Sequence, residues 1–355
     1  METETYTRKM ASIQEVNGVY PIEGADKICQ YGINGWKVVD QVGKYKVGDL
    51  VVFCEVDSFI PTAVAPFLTK PGKFPKIYNE VEGEKLRTIR LRKALSQGLI
   101  LPVFNDETGT YLMIMDDDAG EYSVTVTLGD DVSEILGIQK WEPPPEFTSA
   151  DARGTFPQFI FKTDQERVQN CFRNVEQLFN KVTWQVSEKV EGQSHTAYLY
   201  HDEFGVCSRN LNLKDSDNTF WNTARKYDLE AKLRALGRNI AIQSEQCGPG
   251  ISGNIYGHTD YFLFVFDIFD IDNQRYFSPD ETQALIKDLG LTSVPILKSG
   301  EVLNASLDEL LIMADGKSVL GTTDTLREGL VFKANLADRV SWKAVSNIYL
   351  EKSKD

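Results

Sequence analysis

The sequence predicts two domains, a small all-β barrel followed by an α+β domain of antiparallel sheets flanked by helices. Three observations predict it. A chain of 355 residues exceeds what one hydrophobic core ordinarily organises. Residues 1–145 read as short β segments punctuated by Gly, Pro and Asp, the pattern of a small barrel. Beyond the run WEPPPEFTSADARGTFP, Trp141 to Pro157, helical periodicities appear between strand runs. That proline-rich, small-polar run sets a linker at 146–157 and a second domain at 158–355.

The expected strands of the first domain are WKVVDQV, DLVVFCEV, KLRTIRLRK, GLILPVF, YLMIM and YSVTVTL. In KLRTIRLRK the spacing places Leu86, Thr88, Arg90 and Arg92 on one side of a strand. The second domain opens with an amphipathic helix over 163–182, with Val168, Cys171, Phe172, Val175, Leu178, Phe179 and Val182 on one face and Thr163 with Glu166 as a capping box. Two further helix starts carry that signature: Ser278 with Glu281, with Pro279 at the first helical position, and Ser306 with Glu309. YFLFVFDIF and GLVFKA read as strands between them. SEKVEGQSHTAYLY reads as two short strands joined near Glu191 and Gly192, which puts Lys189 at a strand end beside a turn.

At 42% hydrophobic and 25% charged residues, the composition is that of an ordinary soluble globular protein. No apolar run approaches a membrane span, and METETYTRKM lacks the core of a signal peptide. A cytosolic or nuclear setting is expected, or the host cytoplasm for a virus-encoded protein. The five cysteines, Cys29, Cys54, Cys171, Cys207 and Cys247, are widely spaced and read as reduced packing residues. His195, His201 and His258 form no zinc pattern. The net charge of -14 is concentrated: residues 101–150 hold eleven acids against the single Lys140. Residues 70–93, by contrast, hold eight Lys or Arg and three acids, so a positive strip survives on an acidic chain.

No G-x-x-x-x-G-K-[ST] and no strand-following G-x-G-x-x-G occurs, and CGPGISGN, with Pro249 inside it, reads as a loop. What remains is a set of charged residues in apolar, strand-like surroundings: Lys189 and Glu191 in KVEG, Arg209 in SRN, Glu245 in QSEQCG, Asp267 in FVFDI, Glu328 and Lys333 in EGLVFK, and Lys343 in SWKAV. In this order they resemble the covalent nucleotidyltransferase superfamily of ligases and capping enzymes, whose nucleophilic lysine lies in K-x-[DEH]-G. KTDQERVQN, GPGISGN, PIEGADK, KVGDLVVFCEVDSFIP and RKALSQGLILP narrow the likeness. The chain is similar there to the fifth RNA ligase family, in which an OB-fold domain precedes the nucleotidyltransferase domain. The resemblance runs from about Ile13 to Leu350.

The resemblance implies an ATP-dependent RNA ligase that joins 3′-OH and 5′-phosphate ends, at nicks in duplex or structured RNA, as a monomer. Lys189 would take AMP from ATP, pass it to the RNA 5′-phosphate, and a 3′-OH would then displace it. A free lysine is neutral in only about one molecule in 2,500 at pH 7, so a site that makes the charge of Lys189 unwelcome is expected, with Mg²⁺ or Mn²⁺ and a second lysine, Lys343 or Lys333, disfavouring the ammonium. The likeness implies Glu191, Glu245 and Glu328 as carboxylates for the metal or the ribose, Phe266 stacked on adenine, Arg209 on a phosphate, Glu188 among the nucleotide contacts, and Asp267 as a brace. Arg87, Arg90, Arg92 and Lys93 are the candidate RNA contacts of the OB domain. Where relatives end with K-x-K, this chain has Ser341 and Lys343, so Lys343 acts alone or with help from Lys333 and Arg339. A capping-type enzyme using GTP is the nearest alternative, although only 12 residues follow Lys343, too few for the OB domain such enzymes usually carry there. A non-catalytic RNA-binding scaffold is the other, and joint retention of Lys189, Glu191, Glu245 and Glu328 speaks against it.

Overall fold

The computed structural model describes residues 8–106, 108–117, 120–142 and 151–352. It divides into compact units at residues 1–143 and 144–355. In the first, the strand Leu50–Cys54 lies between Ala11–Glu15 and Leu99–Pro102. All five of its residues are buried because both faces are covered: Val52 and Cys54 pack with Ile13 and Ile60, Val51 and Phe53 with Tyr31, Trp36 and Ile100. A meander of Gly18–Ile22, Ala25–Ile33 and Trp36–Gln41, a sheet built on Ser58–Pro61, Val81–Lys85 and Lys76–Tyr78, a sheet of Phe104–Asn105, Tyr111–Asp117 and Gly120–Thr125, and the pair Ile89–Leu91 and Ala94–Ser96 make up the rest of the described β-rich unit.

KLRTIRLRK is not one strand. Lys85 ends one strand, Leu86 is buried in the core, and Ile89–Leu91 turns back onto Ala94–Ser96 through Arg92 and Lys93. Both turn residues have positive φ, 51° and 69°, the geometry of a two-residue hairpin turn whose twist matches its strands. Arg87, Arg92 and Lys93 are exposed and Arg90 is half-buried in the Ile89–Leu91 strand.

The second unit holds two sheets. Seven strands run in the order Ala152–Thr155, Leu211–Leu213, Glu203–Cys207, Gln193–Tyr200, Ile240–Cys247, Phe262–Asp270, Arg275–Tyr276. Five run Glu166–Arg167, Ser341–Val345, Gly329–Ala334, Thr183–Lys189, Ile296–Val302. Helices Thr219–Lys226, Leu229–Leu236 and Pro279–Asp288 cover the larger sheet through Leu233, Ile242, Val265 and Ile286. Val168–Val175 and Leu307–Ala314 cover the smaller one through Val168, Trp184, Leu310, Phe332 and Trp342. No described helix is long and apolar enough to cross a membrane.

Both Ser-x-x-Glu boxes form, with Ser278 and Ser306 capping Pro279–Asp288 and Leu307–Ala314. The first expected helix is shorter, Val168–Val175 followed by one 3-10 turn. Thr163 does not cap it, because Glu166 and Arg167 are drawn into the sheet edge, pairing in parallel with Trp342 and Lys343. The expected linker also shortens. Ala152–Thr155 is a strand paired with Leu211–Leu213, while residues 146–150 lie outside the described residues.

Candidate active site

Lys189 is the last residue of Thr183–Lys189, and the chain then crosses between sheets. The strands on either side of Glu191 and Gly192 are therefore not a hairpin: Thr183–Lys189 pairs with Gly329–Ala334 in one sheet and Gln193–Tyr200 with Ile240–Cys247 in the other. Alternation does the positioning. Trp184 and Val186 point into the helix-covered core, so Lys189 faces the opposite side, where a cleft of about 440 Å³ opens. Lys189 pairs with Gly329, at which a Cβ would stand 2.2 Å from the carbonyl oxygen of Ala344. Gly192 is equally constrained, because a Cβ there would meet the Gln246 carbonyl oxygen at 2.5 Å and Glu245 Cγ at 2.9 Å. These approaches give the glycines of KVEG and EGLVFK a steric reason.

Glu188, Lys189, Glu191, Arg209, Glu245, Phe266, Glu328 and Lys343 all line the cleft. Lys189 Nζ donates to Glu328 Oε2 at 2.5 Å. The protein's own side chains do not by themselves make its charge unwelcome. Burial alone would push its proton off, but Glu328, Glu245 and Glu191 together outweigh burial and hold the ammonium above the ordinary lysine range. The carboxylates show the converse strain. Burial, with repulsion from Glu328, pushes Glu191 up to about 7, and burial, with repulsion from Glu328 and Glu191, pushes Glu245 up to about 8. Burial, then Lys189 and Arg167, pushes Lys343 down to about 8. The cleft is short of positive charge around its glutamates and already positive around Lys343.

Lys333 does not reach this group. It stands opposite Ser341 on the neighbouring strand, and its Nζ is spent on Asp267 Oδ1 at 2.7 Å and on the carbonyl oxygen of Phe266. Arg339 Nη2 donates to Asp267 Oδ2 at 2.8 Å, so both cations that could have assisted Lys343 instead lock the Phe266–Asp267 strand, and Asp267 is the brace between them. Phe266 is half-buried and lines the cleft. Arg209 sits at the rim with its Nη2 on Asp164 Oδ1 at 2.8 Å. The Glu188 carboxylate is turned away to Ser318 Oγ and the Val319 amide, which leaves its backbone as the part on the cleft side.

Three residues escaped the sequence reading. Arg167 pairs beside Lys343 and adds to the positive field there. Tyr256 Oη accepts from the Glu191 amide at 2.7 Å, and Tyr349 Oη donates to Glu191 Oε2 at 3.1 Å. Arg167 lay inside KTDQERVQN, whereas neither tyrosine stands in any motif.

The cleft's carboxylates are hard oxygen donors suited to Mg²⁺ or Mn²⁺, and the raised proton affinity of Glu191 and Glu245 is what a cation would relieve, so the residues fit one. Among the described residues no set of three or more His, Cys, Asp or Glu side chains forms a ready cage for an ion. A cation held through water or substrate phosphate matches that arrangement.

An RNA ligase family model matches residues 182–345, and an OB-fold domain model matches residues 10–103. No curated protein matches. Among solved structures, the chain is similar to a Naegleria gruberi RNA ligase in an apo aspartate-to-alanine mutant, at 39% identity and a TM-score of 0.76, covering 98% of this chain and 99% of that one. A lysine-to-methionine mutant of that ligase with AMP and Mn matches at 39% identity and 0.76 over 98% and 100% of the two chains. A lysine-to-alanine mutant with ATP and Mn matches at 39% identity and 0.76 over 97% and 99%. With that identity running through both units, the chain belongs to the RNA ligase family and sets an OB-fold domain ahead of its ligase domain.

Proposed function

We propose that this RNA ligase is ATP-dependent, carries AMP on Lys189 and seals 3′-OH/5′-phosphate nicks in duplex or structured RNA as a monomer. The observation that carries the reading is Lys189 at a strand end, in a cleft shared with three carboxylates and Lys343. Lys189 Nζ attacks the α-phosphorus, the bond to pyrophosphate breaks, and the lysine proton leaves. An oxygen of the RNA 5′-phosphate then takes the AMP from Lys189. Finally the 3′-OH attacks that 5′-phosphorus, loses its proton and expels AMP.

The residues divide this work by their chemistry. Glu328 holds Lys189 in place, and its pairing must be loosened before the amine can attack. A bound divalent cation supplies the charge that offsets the phosphate oxygens and disfavours the ammonium. Glu191, Glu245 and Glu328 would hold that cation and the ribose hydroxyls. Lys343 meets the phosphates with the Arg167 charge beside it, Phe266 stacks on adenine, and Arg209 exchanges Asp164 for a phosphate. Lys333 fixes the Phe266 backbone and contacts no reacting atom.

In the OB domain, the hairpin at Arg92 and Lys93, with Arg87 and Arg90, contacts the RNA backbone. Arg92→Asn/Lys93→Gly removes both turn charges yet installs the Asn-Gly pair that such a turn prefers, so the fold is kept. Sealing of a nicked RNA duplex and of single-stranded RNA, measured across a salt series, tests the reading. The nick should be sealed faster, and in the variant nick affinity should fall with a salt slope shallower by about 1 to 2. Equal sealing of both substrates would remove the nick preference, and an unchanged slope would remove the hairpin from the RNA interface.

A further inference from the structure

Glu191 is held at every polar group it has. Its amide donates to Tyr256 Oη at 2.7 Å and its carbonyl oxygen accepts from Cys247 Sγ at 3.4 Å. The next carbonyl, that of Gly192, accepts from Ser252 Oγ at 2.9 Å, so the CGPGISGN loop serves as a clamp on the turn after Lys189. The carboxylate is held from elsewhere, by Tyr349 Oη on the helix Asn347–Lys352.

That helix is registered against the cleft. The Ser346 amide donates to the Glu328 carbonyl oxygen at 2.9 Å, Ser346 Oγ donates to Asp315 Oδ1 at 2.6 Å, and the Tyr349 amide donates to Ser346 Oγ at 3.0 Å. A short path of hydrogen bonds therefore links the backbone of Glu328, whose carboxylate binds Lys189, to the hydroxyl that binds Glu191. The segment from Ser346 to Tyr349 thus meets both the Glu328 backbone and the Glu191 carboxylate. Two like charges beside one lysine would otherwise compete for its ammonium, and an oriented neutral donor gives the second one its own partner.

We propose that Tyr349 is a positioning residue, whose hydroxyl holds the Glu191 carboxylate in the orientation that receives the divalent cation accompanying ATP. The proposal rests on the reading of Glu191 as a cation-binding carboxylate. Tyr349→Phe removes the hydroxyl and leaves the ring and helix in place.

The full-length chain, as wild type, Tyr349→Phe and Glu191→Gln, is titrated with Mn²⁺ in the presence of α,β-methylene ATP by calorimetry, and initial rates of covalent nucleotide attachment are followed against Mn²⁺. Tyr349→Phe should raise the Mn²⁺ half-saturation about ten-fold in both assays, the loss expected for one hydrogen bond to a charged group. Its rate at saturating Mn²⁺ should return to near the wild-type value, and its melting temperature should not move. A merely structural tyrosine would lower the melting temperature and leave the half-saturation alone. If Glu191→Gln shifts the Mn²⁺ dependence and Tyr349→Phe does not, the proposal is overturned and the reading of Glu191 stands. If neither variant shifts it, both are overturned.

Discussion

Lys189→Ala is expected to abolish covalent nucleotide attachment, by more than about 10⁴-fold, while the protein still folds and still binds ATP. No neighbour can substitute as the nucleophile. Lys343 comes from another strand and is the proposed phosphate contact, and the buried Nζ of Lys333 is held by Asp267 and the Phe266 carbonyl. Lys189→Arg should fail equally, because a guanidinium stays protonated and cannot attack. The variant should nevertheless join RNA that already carries a 5′-linked AMP, since that step asks only for the 3′-OH to be oriented and AMP to leave. Measuring both reactions on Lys189→Ala separates loss of the nucleophile from collapse of the cleft. Loss of both, with an unchanged melting curve, would mean that Lys189 has a role in the last step too.

The second large effect concerns stability. Asp267→Ala should lower the stability of the ligase domain by about 3 to 5 kcal/mol, because it leaves two buried or half-buried cations facing each other with no carboxylate between them. In a unit of this size that is a fall in melting temperature of roughly 10 °C. Burial would raise the Asp267 carboxyl, but Arg339 and Lys333 overcome burial and hold it below the usual range. Its contribution is therefore complete above the unfolded aspartate pKa and disappears only as pH falls through the depressed folded value. The cost of Asp267→Ala should accordingly be undiminished at pH 7 and shrink in acid. Adding Lys333→Met should restore part of the loss, since an apolar side chain there removes one stranded charge. A melting temperature unchanged by Asp267→Ala would contradict this account.

Much of the site was legible because its chemistry interrupts strands. A lysine or glutamate inside an apolar, β-branched run is costly to bury without purpose, and that contrast marked Lys189, Glu245, Glu328 and Lys343. Alternation also placed Lys189 at a strand end. It could not say which sheet each strand joins, so the crossing at Glu191 and Gly192 looked like a hairpin until the partners Gly329–Ala334 and Ile240–Cys247 were seen. Lys333 was misplaced for a related reason. Its partner Asp267 lies 66 residues away, and only the three-dimensional register shows that the pair is satisfied internally. The Thr163–Glu166 cap failed because pairing of Glu166 and Arg167 with the last strand overrode a local signal. Tyr349 carried no signal, since an aromatic near the chain end reads as packing.

The charge state of Lys189 was the deepest gap. Spacing revealed the three glutamates but not their closeness to Nζ, which favours the ammonium and so leaves the release of its proton to the divalent cation expected from the sequence. Glu191, Glu245 and Glu328 would hold a cation that comes with the substrate, and its charge would offset theirs and disfavour the ammonium. Dependence of attachment on the cation, measured apart from ATP binding, is therefore an expected result.

The most direct test is to incubate the purified, AMP-free protein with ATP or GTP, with and without Mn²⁺, and to map any covalent nucleotide by peptide mass. The account predicts AMP on Lys189 alone, only from ATP and only with the cation. AMP on another lysine, GMP on Lys189, or unmodified protein under every condition would contradict it.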